Sequence, residues 1–281
     1  MHTVRSVLLV LSVTACAAGL DSTSPSLNAS GTGLSKSLVT TSVSCGDVIA
    51  SDVRLENDLS CAVDGFSISG TGIKINLNGH TISGSGTGVG VGIRVTASQD
   101  VSIYGGSFRG FLQAMFVAGS SGIVIKDNEF TQNGTAVLFQ ASSGNTIKSN
   151  VARQNTFRAF MLRSNNVGVP STDNDIVDNI LIDNPTGVFL ISQPGNNFTG
   201  NTISGSAVAA IDLPSPGASG NLFRGNLLTA NAAGFRFAAG WTDNTILGNT
   251  LDGNTCAFQG PSAGNTLQGN TLFGNTTDFC P

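Results

Sequence analysis

Charge is scarce in this chain. Charged residues are 11% of the 281, with two glutamates (Glu56, Glu129) and four lysines. So few Glu and Lys leave no material for solvent-facing helices, and no Glu pair is available for acid–base work. The net charge of −4 argues against a nucleic-acid partner, which wants a basic face. Trp241 and Tyr104 are the single Trp and Tyr. His80 is the one histidine beyond the N-terminal segment, and no Cys-x-x-Cys spacing occurs, so a zinc site is not expected. No window of twelve or more residues has helical periodicity, which excludes α-solenoids.

Asparagine is abundant and regular. Asn128, Asn150, Asn179, Asn201, Asn226, Asn249 and Asn270 are separated by 22, 29, 22, 25, 23 and 21 residues. A second row keeps step (Asn145, Asn174, Asn196, Asn221, Asn244, Asn265), and so does a third (Asn133, Asn155, Asn184, Asn231, Asn254, Asn275). Three phased rows at one period mean a stacked repeat. Each Asn is read as a corner residue that tolerates the left-handed conformation, its amide bonding to the next coil.

Within one coil, Val137-Leu138-Phe139 and Thr146-Ile147-Lys148 are short strands, and Ser142-Ser143-Gly144 is a turn. Alternation assigns the inward side chains. One column is Ile103, Ile125, Ile147, Ile176, Phe198, Phe223, Ile246 and Leu267; another is Phe130, Ala152, Leu181, Ile203, Leu228, Leu251 and Leu272. The predicted fold is all-β: one right-handed parallel β-helix over residues 43–281, of about nine to ten coils and roughly 45 Å long.

The N-terminus reads as a targeting segment over 1–16. Arg5 precedes the short apolar run Val7–Val13, and Val13-Thr-Ala-Cys16 matches a lipobox. Lipidation at Cys16 would make the chain an outer-membrane or cell-surface lipoprotein, touching membrane only through its lipid. Cleavage near Ala15–Ala18 would instead release a soluble secreted protein. Residues 17–42, rich in Ser, Thr and Gly, read as a flexible tether. Export permits disulfides. The locations favour Cys45–Cys61 in the opening coil and Cys256–Cys280 one coil apart, a staple at each end.

The segment Cys45–Cys61, then Ile75-Asn-Leu-Asn-Gly-His-Thr-Ile-Ser-Gly84 and the later Gly-Asn-Thr-Ile-x-x-Asn units, resembles bacterial right-handed parallel β-helix repeat proteins of the pectate-lyase-like superfold. The resemblance implies the fold. Its members include lyases, hydrolases, epimerases, tailspikes and a periplasmic copper-binding group, so it does not choose a chemistry.

Several constellations are weighed. Copper needs imidazole, thiolate or thioether donors, and His80, Met115 and Met161 are the candidates; no metal site is assigned. Asp173, Asp175, Asp178 and Asp183 cluster at the longest coil, beside the insertion Asn165–Asp173, where turn-capping is the expected role. The outward row of the first strand runs Arg94, Phe116, Leu138, Met161, Phe189, Asp212, Arg236. Four consecutive large apolar residues (Phe116, Leu138, Met161, Phe189) predict a solvent-facing binding stripe, with Trp241 as a sugar-stacking residue or a core cap. Two functions follow. One is a non-catalytic rod binding polysaccharide or a cell-envelope protein, with no cofactor. The other is a polysaccharide lyase or glycosidase using Asp212 with Arg236, Arg163 and Asp173, with Ca²⁺ only in the lyase case.

Overall fold

The computed structural model describes residues 40–281 apart from Ala218. The expected signal segment, Cys16 and nearly all of the tether lie outside the described residues. The first ladder pairing, Thr40 with Arg54, falls just ahead of residue 43. Every strand pairing between coils is parallel, in three sheets of eleven, ten and eleven strands, and no helix occurs among the described residues. The long-strand sheet carries the longest segments, such as Thr135–Gln140, Arg158–Arg163 and Ala209–Ser215. The other two sheets are built from short strands such as Thr146–Lys148 and Val151–Arg153.

The register follows the hydrophobic columns. Ile125 pairs with Ile147, Ile147 with Ile176, and Ile176 with Phe198. Phe130 pairs with Ala152 and Ala152 with Leu181. Apart from the last-coil Leu267 and Leu272, which pack partly buried against the core, both columns are fully buried. Aromatic rungs stack in the core, Phe198 on Phe223 at 4.9 Å in the first column and Phe235 on Phe258 at 5.5 Å between centroids on the long-strand sheet. The long strands begin with a tight corner. Gly187 sits there because a Cβ would lie 2.5 Å from both the Ala210 carbonyl oxygen and Ile203.

The asparagine rows form the expected amide ladder between coils, but the Asn residues do not hold the left-handed position. The left-handed corner residue is the one before each Asn in the first row: Asp127, Ser149 and Asp178 have φ of 54–55° and Gly200 of 67°. The Asn itself turns its amide inward. Asn179 Oδ1 accepts from the Asn150 backbone N–H at 2.9 Å, while its Nδ2 donates to the Ile147 carbonyl at 2.9 Å and to Asn201 Oδ1 at 3.0 Å. These amides are buried and satisfied along the ladder, so they hold the corners the strands cannot.

Both disulfides form as expected, with Cα separations of 5.7 Å for Cys45–Cys61 and 6.2 Å for Cys256–Cys280.

Candidate functional site

The outer face of the long-strand sheet carries the predicted row in register. Arg94 pairs with Phe116, Phe116 with Leu138, Leu138 with Met161, Met161 with Phe189, Phe189 with Asp212, and Asp212 with Arg236. The row is less open than a solvent-facing stripe. Phe116 and Phe189 are half-buried, but Leu138 is 3% and Met161 6% exposed. Neither belongs to the interior core; they are covered from outside. Arg158 does part of the covering. Ala159 and Phe160 both turn into the core, so Arg158 and Met161 share the outer face. The Arg158 guanidinium lies 4.1 Å over the Phe189 ring, and its Nη1 reaches Met161 Sδ at 3.0 Å. At the other end Arg94 lies 5.4 Å over Phe116 and pairs loosely with Asp64. The result is an apolar floor with guanidiniums across it.

Asp212 is 1% exposed although it points outward. Arg236 holds it in a two-point clasp, Nε to Oδ1 at 2.8 Å and Nη2 to Oδ2 at 2.6 Å. Those hydrogen bonds raise the Arg236 pKa. Burial pushes Arg158 below the ordinary arginine value; the Asp212 charge opposes this and the neighbouring Arg163 charge adds to it. Arg163 donates weakly to Gln140 Oε1 at 3.4 Å. The Nε groups of both Arg158 and Arg163 are buried with no partner. Asp212 stands on the row through Met161, and neither that row nor the neighbouring ones through Arg158 and Arg163 hold a second carboxylate.

Other predicted residues lie elsewhere. Asp173 is an exposed turn residue at φ 54°, its Oδ2 accepting from Thr172. Asp178 and Asp183 are also left-handed corners, so three of the four acidic residues are turn chemistry, while Asp175 is an exposed strand residue that accepts from Asn197 Nδ2 at 3.1 Å. Trp241 is 1% exposed and part of the core. It caps the interior beneath its turn and cannot stack a sugar. The insertion folds on itself, Asn165 Oδ1 accepting from the N–H groups of Val167 and Val169. Its Asn165–Val167 stretch stands beside Gln140 and Ala141, at the Arg163 end of the floor.

Soft donors do not converge. Met115 is wholly inside the core, Met161 Sδ is engaged by Arg158, and the four described cysteines are oxidised. His80 Nδ1 sits 3.0 Å from Asp58. No group of three or more His, Cys, Asp or Glu side chains among the described residues is placed to hold a metal ion.

Sequence reasoning missed Arg158, the group that most shapes the floor. The signal was present: it opens a long strand three residues before Met161, in a second outward column that also holds Thr135 and Thr186. It also missed a polar patch on the outer face of the ten-stranded sheet. There Asp58 meets His80, and Glu129 pairs with Arg153 beside Arg109.

Among solved structures, the chain is similar to an exopolygalacturonase from Thermotoga maritima (10% identity, 81% of this chain and 68% of that one, TM-score 0.58). It is also similar to a mutant of the periplasmic alginate epimerase AlgG (13%, 83% and 73%, TM-score 0.57). An alginate lyase from Paenibacillus sp. matches over 83% of this chain and 99% of that one, at 16% identity and a TM-score of 0.50. At these identities the likeness is one of fold. No curated protein sequence matches the chain. The family model described as periplasmic copper-binding protein (NosD) matches residues 51–276, most of the chain, and this exported parallel β-helix therefore belongs to the NosD family.

Proposed function

We propose that the long-strand face binds polysaccharide and does not cleave it. The observation that carries this reading is the row Phe116–Leu138–Met161–Phe189, an apolar floor crossed by Arg94 and Arg158. Sugar rings present apolar faces rimmed by hydroxyls, and such a floor offers dispersion contact with donors at its edge. Catalysis by the pair expected for a glycosidase needs two carboxylates about 5–9 Å apart. The outward rows around the floor hold Asp212 alone, with both oxygens committed to Arg236. The alginate lyase, exopolygalacturonase and alginate epimerase of like fold are named for carbohydrate polymers, and an extended solenoid face suits an extended chain. The copper of the family description does not fit the donors described above, so no step is routed through a metal.

The test is retention on immobilised polysaccharides, scored alongside release of reducing ends and of unsaturated uronates. The expected result is reversible retention of the full chain, weakened about tenfold or more by Phe189→Ala, with no polymer cleaved. Cleavage lost in Asp212→Asn would replace this reading with the enzymatic one.

A further inference from the structure

The floor carries more positive charge than its own residues neutralise. Four arginines stand on it: Arg94, Arg158, Arg163 and Arg236. Arg94 has Asp64, and Arg236 has both oxygens of Asp212. Arg158 and Arg163 are left without a carboxylate partner in contact. Their contacts are poor substitutes: a thioether and a ring face for Arg158, and a long amide bond for Arg163. The Nε–H of each is buried with no acceptor, a cost that a folded protein seldom leaves standing. Both stand on the outer face of one strand, Arg158–Arg163, on either side of Met161, and the Arg163 charge is one of the causes that lower the Arg158 pKa. Two half-buried guanidiniums flanking an apolar floor, neither with a carboxylate in contact, suit one planar oxyanion at their exposed sides, while the sealed Nε–H groups stay out of a ligand's reach.

We infer that Arg158 and Arg163 form an anion seat that takes the carboxylate of an acidic sugar, so that the ligand of this face is a polyuronate. The inference rests on the polysaccharide-binding reading and adds the charge of the polymer. The sugar ring would lie against the open part of Phe189, beside the Arg158 guanidinium that covers Met161, while its carboxylate turns toward the two arginines. Phe116 and Arg94 lie farther down the same ladder and offer a second, weaker contact of the same kind to a neighbouring unit. Asp212 has the opposite role. Clasped by Arg236, it prevents that arginine from competing for the carboxylate and sets the far edge of the seat.

The experiment compares three polymers on the full wild-type chain: polygalacturonate, the same polymer with its carboxyls reduced to alcohols, and dextran sulfate. Arg158→Gln and Arg163→Gln follow, each checked by thermal melting. The expected result is binding to polygalacturonate that falls about tenfold or more on carboxyl reduction, and by a similar factor in either folded variant. Equal binding to the native and reduced polymers would overturn the anion seat while leaving polysaccharide binding in place. Dextran sulfate bound as tightly as polygalacturonate would overturn it in favour of unspecific charge attraction. Carboxylate-dependent binding untouched by both substitutions would place the seat elsewhere. No binding to any polysaccharide would overturn the parent reading and this inference with it. The polymer comparison needs no variant, so a variant that failed to fold would not spare the inference.

Discussion

The asparagine corners and the outer face of the long-strand sheet belong to the same coils, yet they handle polar groups in opposite ways. At a corner such as Asn179, the amide accepts from the rung before and donates to the rungs on both sides, in full burial. On the outer face, Arg158 and Arg163 keep buried donors without acceptors. The corner repeats with little change from coil to coil; the face changes identity at nearly every rung, from Arg94 to Phe116 to Leu138 to Asp212. Where the repeat is strict, each polar group is completed by the next copy of itself, which is what a solenoid needs to propagate. Where the repeat breaks, groups are left incomplete: Arg158 and Arg163 on the face, and Ser206 where it interrupts the third Asn row. The breaks, more than the repeats, therefore locate function.

The harshest way to test the finished half of that comparison is to remove one amide from the ladder. Asn179→Leu strands the buried Asn150 N–H, which now bonds Asn179 Oδ1 at 2.9 Å, whereas Asn150 Nδ2 keeps the Ile125 and Lys148 carbonyls. It also deletes donors to Ile147 and Asn201. At about 1–3 kcal/mol for each stranded group, the expected loss is about 3–5 kcal/mol in chemical denaturation. A loss under about 1 kcal/mol would mean that the ladder is decoration on a fold held by its columns.

The sequence displayed one half of the comparison well. Columns such as Ile103–Ile125–Ile147 were legible because each inward position repeats one residue type at the coil period, and register alone then fixes the facing. The disulfides were legible because pairs one coil or one turn apart must lie close. Asn was misassigned to the left-handed position because Asn favours both corners and buried amide ladders; only backbone geometry separates the two, placing φ near 55° on Asp127 and Ser149 instead. The burial of Leu138 and Met161 was illegible for another reason. Alternation says which face a side chain takes, not what lies across it, and the cover over Met161 comes from Arg158, laid along its own strand. Trp241 read equally as surface or cap, since a turn residue can point either way.

A gentler test separates inside from outside on one strand system. Phe160 and Phe189 sit on adjacent rungs, the first in the core and the second half-buried on the face. Phe160→Ala should cost about 3–5 kcal/mol. The double change Phe116→Ser with Phe189→Ser should cost about 1 kcal/mol, mainly the ring contacts with Arg94 and Arg158, while polysaccharide retention disappears. Equal destabilisation by the two would place the face residues in the core and dissolve the contrast.

The smallest effect is expected where an outer face makes a complete polar contact. Asp58 accepts from the Thr81 backbone N–H at 2.9 Å and faces His80 Nδ1 at 3.0 Å. The Thr81 bond first, and then His80, hold its carboxyl below the usual carboxylate range. A carboxylate with a depressed folded pKa adds stability that is present above its unfolded pKa and is lost as pH falls through the folded one. Any contribution should therefore be constant through neutral pH and fade only in acid, below the ordinary aspartate range. Because Asp58 is open to water, the stability change should be slight. The measurement is a carboxyl NMR titration of Asp58 in the folded chain against a peptide of the same local sequence, with melting of Asp58→Asn across the acid range. A midpoint equal to that of the peptide would show the contact to be empty. A large loss in Asp58→Asn at neutral pH would do more harm: it would make this exposed pair as structural as the buried ladder and remove the distinction between completed interior and variable face.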